Sequence, residues 1–406
     1  MNTTIISKKF ESLFLFALLL VLIVPSRLIA SDRPTTMDEP WWVISGSNYY
    51  YALANRDLAN TLYDYHPAVT TTWMVATGMI AYFPEYRGFG QGYFDVRKPK
   101  FEEFLHENNK EALNVLLYSR WLQSLSILAF ALLGFFLLQK LMDSRMAFLS
   151  ISLAMIAPFY LGHSRLLNHE GLLSIVVLTS ILGMHVYLEK GRDLFILLVS
   201  GASFGLAQLT KSSSVVIVVV IGLMLLVNLV TQDGRSFTSK LWSVVRVFAI
   251  WFGVAALVYF ILWPGMWVDP ARMLREVYGN AFSYAFQGAR LDVTEELDPA
   301  EFTVNTRLDG VFLYLRYWMS GTTFITWFGI VFAVYFLFSK DKDGMPAHVR
   351  SLIGYLALLG ILFVLMFGIA QGRNHAHYIM NTFVSFDVIA GMGWGMLCCG
   401  LGSVGR

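Results

Sequence analysis

Residues 68–83 read AVTTTWMVATGMIAYF, and the topology of the whole chain depends on whether this stretch crosses a membrane. A helix needs about 20 apolar residues to cross the roughly 30 Å of bilayer hydrocarbon, and this stretch is shorter and rich in threonine. We therefore predict a helix that lies in or along the membrane interface. If it were a full span, every later connection would change sides.

The composition of the chain is that of a membrane protein. Of its 406 residues, 56% are hydrophobic and 14% are charged, against the roughly 45–50% apolar residues usual in soluble domains. The 11 tryptophans and 19 tyrosines suit the headgroup zone, where an apolar ring and a polar tip are both satisfied. A net charge of +2 indicates little about partners. The composition excludes a water-soluble fold.

Ten stretches are long and apolar enough to cross the bilayer, and they predict an all-α polytopic bundle forming a single domain, residues 1–406. The predicted spans are residues 10–30, 115–138, 146–162, 170–189, 194–210, 213–230, 243–263, 320–338, 351–370 and 377–400. Two long loops lie between them, residues 31–114 and 264–319. The first loop holds the predicted interfacial helices.

The distribution of basic residues places these connections on the two sides of a cell membrane. With the N-terminus in the cytoplasm, the internal connections hold most of the lysines and arginines, as the positive-inside rule requires. They are Lys140, Arg145, Lys190, Arg192, Arg235, Lys240, Lys340, Lys342 and Arg350. The short external turns hold Arg165, Lys211 and Arg373. Both long loops are then extracytoplasmic, and we expect the chemistry there.

Other parts of the chain narrow the range of functions. The N-terminus resembles a secretory signal, but Arg27 and Leu28 do not fit a cleavage site of small residues, so we expect an uncleaved signal anchor. Cys398 and Cys399 are adjacent, which fits neither a disulfide framework nor a metal site. The sequence has no glycine-rich nucleotide loop and no basic stretch interleaved with aromatics, so no nucleotide or nucleic-acid partner is indicated.

Two acids open the first external loop in the stretch Thr-Met-Asp-Glu-Pro-Trp-Trp, where Asp38 and Glu39 follow the first span. Residues before a proline favour extended backbone, in which successive side chains point in opposite directions. We therefore expect one acid to face a cleft and the other to hydrogen-bond into the scaffold. A solvated loop, or capping of a helix by Asp38, is the alternative.

A third acid, Glu170, ends the short external turn His-Ser-Arg-Leu-Leu-Asn-His-Glu. It is either catalytic or a first-turn acid that complements its helix dipole, with Arg165 as ion-pair partner. Lys211 and Arg373 occupy external turns where the orientation rule disfavours positive charge, which indicates a negative partner outside. A lipid headgroup and a substrate phosphate both remain open.

Other acids are less informative. Asp387 lies well inside a predicted span, where an ionised acid costs roughly 2.5–3.5 kcal/mol. An ion pathway usually needs several such groups, so a single one disfavours an ion-coupled transporter. The second loop is acidic, which we interpret as a solvated face rather than a metal or amine site. Its acids are Asp292, Glu295, Glu296, Asp298 and Glu301.

Taken together, these motifs resemble the polytopic GT-C glycosyltransferases, especially glycosyltransferase family 39, which includes protein O-mannosyltransferases and the lipid A aminoarabinose transferase. The resemblance covers most of the chain and keeps the family's order. The matching elements are Asp38-Glu39, His66-Pro67-Ala68, Arg120, Ser164-Arg165 through Glu170, Gly205 to Lys211, Trp263-Pro264 with Asp269-Pro270, and His377-Tyr378 through Asn381. The chain departs where Ala68 replaces a second proline, and where His377 and Asn381 replace an arginine and a proline.

The resemblance implies transfer of a sugar from a polyprenyl-phosphate donor to an extracytoplasmic acceptor, by single displacement with inversion. Asp38 would be the base and Glu39 would hold the loop, whereas retention through Glu170 is the alternative. The residues implied at the donor phosphate are Lys211, Arg373, Arg165 and His377. The residues implied to line the cleft are His66, Trp41 and Tyr378. A divalent metal is conceivable but not indicated, and the acceptor could be a protein, a lipid or a polysaccharide.

Two readings from other functional classes remain. A flippase or transporter for a lipid-linked glycan would also need external cations and a lipid-facing cleft, but it would not need Asp38. A non-catalytic subunit that keeps the GT-C fold would tolerate the imperfect His66 and His377 elements.

Overall fold

The computed structural model describes residues 2–29, 31–32, 36, 38–62, 67–86, 98–231, 236–287, 304–339, 345–370 and 374–404. All regular secondary structure in these ranges is helical, which confirms the predicted all-α class. The first nine helices are α1 (Asn2–Leu28), α2 (Glu39–Ala54), α3 (Val69–Tyr82), α4 (Lys98–Glu107), α5 (Ala112–Gln139), α6 (Ser144–Ile156), α7 (Pro158–Ser164), α8 (His169–Glu189) and α9 (Leu194–Thr210). The remaining nine are α10 (Val216–Thr231), α11 (Phe237–Leu262), α12 (Gly265–Val268), α13 (Pro270–Leu274), α14 (Asn280–Gln287), α15 (Val304–Gly321), α16 (Phe324–Phe338), α17 (Ala347–Ile369) and α18 (Met380–Val404).

Six single helices and two bent pairs among the described residues are long and apolar enough to cross a membrane. The single helices are α1, α5, α8, α11, α17, and α10 together with the short turn before it. The pairs are α6 with α7, and α15 with α16. These eight coincide with eight of the ten predicted spans. The other two predicted spans coincide with α9, which has only 17 residues, and with α18.

The break in each bent pair coincides with a local feature, a proline in one pair and a helix cap in the other. α6 and α7 meet at 64° at Pro158, which lacks the N–H that would continue the helix. A guanidinium N–H of Arg27 in α1 donates to the Met155 carbonyl beside this break, at 3.0 Å. α15 and α16 meet at 105°, and Thr323 begins α16 by accepting a hydrogen bond from the Thr326 N–H.

The centre of the bundle is α8, whose side chains are almost all buried. It packs against α5, α9, α10, α17 and α18. Around it, glycine permits close approach between helices: a Cβ added at Gly205 in α9 would lie 2.6 Å from the Ala255 carbonyl oxygen of α11. Such small-residue contacts hold helices together where lipid removes the hydrophobic driving force.

The predicted interfacial stretch forms α3, which has 14 residues and is therefore about 21 Å long, too short to cross the hydrocarbon. It packs between α2 and α5. Ala68 precedes it with φ of 47°, in the left-handed region. A proline is restricted to φ near −65°, so the family's second proline could not adopt the backbone found here.

Candidate active site

The acidic pair after α1 divides into one exposed and one buried carboxylate. Asp38 is exposed, whereas Glu39 is fully buried as the first residue of α2. The expected extended backbone is wrong, because Asp38 has φ −91° and ψ −28°. Pro40 instead lies in the first turn of α2, where proline is favoured because its missing N–H is not needed. The Asp38 side chain makes no capping hydrogen bond, so the capping alternative gains no support.

Glu39 accepts five hydrogen bonds, one of them from the Thr36 hydroxyl at 3.2 Å. Arg120 donates from Nε to Oε1 at 2.7 Å and from Nη2 to Oε2 at 2.6 Å. The backbone N–H groups of Thr36 and Leu167 donate to the same carboxylate at 2.9 and 2.7 Å. Burial alone would raise the pKa of Glu39, but these hydrogen bonds outweigh it and keep the pKa below its ordinary value. Glu39 is thus a charged anchor for the turn that carries Asp38.

α5 joins this turn to the turn before α8. The third guanidinium nitrogen of Arg120 donates to the Ser31 carbonyl at 2.5 Å. One helical turn later, Gln123 donates to the carbonyls of Ser164 and Leu166. The connections that carry Asp38 and Glu170 are therefore fixed to the same face of one helix. Trp42 completes the contact, because its ring lies edge-on to His169 with centroids 5.1 Å apart.

Glu170 and Lys211 form a buried ion pair. Lys211 Nζ donates to Oε1 of Glu170, and each side chain is at most 3% exposed. The Asn168 side chain begins α8 by accepting from the Glu170 N–H at 2.8 Å. The partner of Glu170 is thus Lys211 rather than Arg165. Among the residues that the structure describes, Oε2 of Glu170 has no hydrogen-bond partner.

Aromatic rings cover the lysine. Lys211 Nζ lies 4.5 Å from the Tyr378 ring centroid and 5.6 Å from that of Phe367, within cation–π range. His377 packs on Tyr378 with ring centroids 4.4 Å apart, and His163 lies 6.1 Å from His377. The connection before α18 therefore reaches Lys211 through Tyr378, which keeps the family motif, although His377 departs from it.

An apolar cavity of about 330 Å³ starts at Lys211. Its walls are two serines after Lys211, one face of α14, and the end of α17. The lining includes Tyr278, Phe282, Phe286, Met366 and Phe367. The Tyr278 hydroxyl donates to Gln208 Oε1 at 2.7 Å, and burial raises the pKa of Tyr278 to about 12, so this hydroxyl stays protonated.

The other predicted site residues either lie elsewhere among the described residues or fall outside them. Trp41 and Arg165 are half-buried. His66, Arg373 and the acids of residues 292–301 lie outside the described residues. Asp387 accepts a hydrogen bond from the Thr326 hydroxyl at 2.7 Å, at the start of α16. Within the described ranges, no group of three or more His, Cys, Asp or Glu side chains is placed to hold a metal.

Two parts of the site were not foreseen from the sequence. Arg120 was noted only through the family resemblance, and nothing indicated that Glu39 would be its partner. Gln123 and Gln208 were missed, although an amide inside an apolar span must find a hydrogen-bond partner and is therefore a usable signal.

The matches to known proteins agree with this architecture. Residues 114–263 match the family model described as dolichyl-phosphate-mannose-protein mannosyltransferase. A search of curated protein sequences gives no match. ArnT from Cupriavidus metallidurans bound to undecaprenyl phosphate aligns over 96% of this chain and 63% of its own, with 16% identity and a TM-score of 0.60. The chain has a GT-C glycosyltransferase fold.

Further solved structures show the same fold. ArnT from the same organism in the apo state aligns over 96% of this chain and 62% of its own, with 16% identity and a TM-score of 0.57. The oligosaccharyltransferase AglB from Archaeoglobus fulgidus, in complex with an inhibitory peptide and a dolichol-phosphate, aligns over 97% of this chain and 51% of its own, with 14% identity and a TM-score of 0.54. This chain spans about three fifths of ArnT and half of AglB. The fold expected from the resemblance to GT-C glycosyltransferases is confirmed.

Proposed function

We propose that this GT-C chain is a glycosyltransferase that moves a sugar from a polyprenyl-phosphate donor to an acceptor on the extracytoplasmic side of the cell membrane. The observation that carries the proposal is the buried Glu170–Lys211 pair, whose lysine lines an apolar cavity. A cation beside an apolar space fits a phosphate with a hydrocarbon tail. The undecaprenyl phosphate bound to ArnT and the dolichol-phosphate bound to AglB support this ligand class.

The donor phosphate binds at Lys211, and its prenyl chain enters the cavity between α14 and α17. A phosphate at Lys211 Nζ takes over part of the electrostatic attraction between the lysine and Glu170. The lysine ammonium has two further N–H donors for the phosphate. The unpartnered Oε2 of Glu170 then accepts a hydrogen bond from a hydroxyl of the donor sugar. Arg373, which lies outside the described residues, stays a predicted second cation for the phosphate.

Transfer proceeds by a single displacement. The acceptor oxygen or nitrogen attacks the anomeric carbon, the bond from that carbon to the phosphate oxygen breaks, and the polyprenyl phosphate leaves. Asp38 takes the proton of the attacking group, because it is the exposed member of its pair. Lys211 stabilises the charge that grows on the departing phosphate. Glu170, held in an ion pair, is less suited to forming a covalent intermediate.

The experiment uses the purified full-length chain in vesicles. Undecaprenyl phosphates carrying different radiolabelled sugars are offered together with candidate protein, lipid and polysaccharide acceptors, and labelled product is separated from donor. We expect transfer with at least one sugar, and tight binding of unglycosylated undecaprenyl phosphate. Movement of the labelled donor between leaflets without transfer would instead identify a flippase. Binding and transfer both absent would overturn the proposal and favour a non-catalytic subunit.

A further inference from the structure

A second apolar groove, of about 460 Å³, is lined by residues of α3, α5, α8, α9 and α11. We propose that it binds the hydrocarbon chain of the acceptor, so that the acceptor of this transferase is a lipid. The inference rests on the proposed function and adds the acceptor class to it. The groove shares no lining residue with the donor cavity, which leaves it free for the second substrate.

The groove is built largely from membrane-spanning helices, and its wall on α5 is about as long as one leaflet of hydrocarbon is thick. Leu122, Ser126 and Phe130 of α5 line one wall, and they follow one another over eight residues, about 12 Å along the helix axis. Half of the hydrocarbon core is about 15 Å thick. Leu172 and Val176 of α8 form its floor, and four residues of α3, with Leu206 and Leu262, complete the lining.

Every polar side chain in the lining is already engaged with the protein. The Thr77 hydroxyl donates to the Trp73 carbonyl at 2.8 Å, and the Ser126 hydroxyl donates to the Leu122 carbonyl at 2.9 Å. Thr70 is hydrogen-bonded to the Thr210 hydroxyl at 2.9 Å. Trp73 Nε1 donates to the Leu262 carbonyl at 2.7 Å. A peptide or glycan would lose its own hydrogen bonds here without replacement, whereas hydrocarbon loses none.

The lining of the groove includes residues close to the Glu170–Lys211 pair along the chain. Leu172 in its floor is two residues from Glu170, and Thr210, bonded to Thr70 in its lining, precedes Lys211. A lipid whose chain lies along α5 and α8 therefore presents its headgroup at the level of the Glu170–Lys211 pair. The donor chain reaches the same pair from the side of α14. Two lipid substrates can then meet without competing for one cavity.

Photo-crosslinking tests the occupant directly. The full-length chain carries p-benzoyl-phenylalanine at Ser126, with a matched control at Ala129, which is exposed on the same helix outside the groove. It is irradiated in vesicles of phosphatidylethanolamine and phosphatidylglycerol, with and without a lipid extract of the native host. We expect Ser126 to capture one minor lipid of the extract. Capture of the two bulk phospholipids in their bulk ratio at both positions would mean annular lipid only and would overturn the inference.

The second test measures sugar transfer when a larger side chain fills the groove. Ser126→Phe places a ring in the groove, and Ala129→Phe places the same ring outside it. We expect Ser126→Phe to lower transfer into the lipid extract about tenfold or more, the order of effect of a blocked binding pocket. Binding of undecaprenyl phosphate should be unchanged in both variants, and Ala129→Phe should transfer normally.

These outcomes separate the two proposals. Transfer into protein or polysaccharide that Ser126→Phe leaves intact overturns the lipid acceptor but keeps the glycosyltransferase. A wild-type chain that neither binds undecaprenyl phosphate nor transfers sugar overturns both.

Discussion

At the residue scale, the surroundings of the two neighbouring acids Asp38 and Glu39 give them different exposure and different roles. Glu39 has both carboxylate oxygens occupied by Arg120 and by backbone N–H groups, and Asp38 is exposed. The same local sequence could have placed either acid in the cleft. The choice follows from Arg120, which lies 81 residues away from Glu39 and can pair with only one of them.

Asp38→Asn tests the base. The variant keeps the shape of the side chain but cannot accept the proton of the acceptor, so we expect transfer to be lost while expression, membrane insertion and donor binding remain. Asp32→Asn is the matched control, because Asp32 is an exposed acid in the same connection. Normal turnover by Asp38→Asn would exclude Asp38 as the base.

The pair Glu170 and Lys211 allows stability and function to be separated. Lys211→Met should destabilise the chain by about 3–5 kcal/mol, because it leaves a buried carboxylate without its cation. Adding Glu170→Gln removes that buried charge, so the double variant should recover most of the stability in thermal unfolding. Undecaprenyl phosphate should bind to neither variant. Binding restored together with stability would show that Lys211 is structural only.

Glu39 should make stability depend on pH. Its pKa is lower in the folded chain than in the unfolded chain, so its stabilisation is complete above the unfolded value of about 4.3 and is lost as the pH falls below it. We expect the unfolding temperature of the wild type to exceed that of Glu39→Gln at neutral pH, and the difference to shrink as the pH falls below about 4. A constant difference across this range would show that the ionised Glu39 carboxylate and its hydrogen bonds do not stabilise the fold.

At the element scale, α9 is positioned by its contact with α11. Gly205 lies in the Gly-Leu-Ala-Gln-Leu-Thr-Lys stretch, and a Cβ there would meet the Ala255 carbonyl oxygen. The motif therefore combines a packing glycine at one end with the functional lysine at the other. Its spacing places Lys211 at the end of α9, directly against Glu170.

Gly205→Leu should push α9 away from α11 and destabilise the chain by about 1–3 kcal/mol or more, as overpacking does. Gly222→Leu is the control, because a Cβ at Gly222 in α10 meets nothing within 4 Å. Thermal unfolding in detergent compares the two. Equal stability of both variants would mean that the α9–α11 contact can relax.

At the scale of the whole molecule, sidedness connects the charge pattern to the site. The proposed topology places the connection after α3 outside and the connection between α8 and α9 inside. In a background with Cys398→Ser and Cys399→Ser, Glu85→Cys should react with a membrane-impermeant maleimide on intact cells. Lys190→Cys should react only after the membrane is opened, and the reverse result would move the site to the cytoplasmic side.

The sequence by itself determined the membrane class, the helical fold and eight of the spanning stretches, because hydrocarbon requires long apolar helices and this requirement is local. It also supplied Glu170 and Lys211 as separate candidates. Only the tertiary structure decided that they pair, that Arg120 selects Glu39, and that two apolar cavities form with no lining residue in common. Those contacts join residues 41 to 81 positions apart or surfaces of several helices, and helix packing rather than local preference brings them together. The packing of α3 against α2 and α5 was likewise decided by the tertiary structure, whereas its place at the membrane interface stays a prediction from its length, its threonines and the charge pattern.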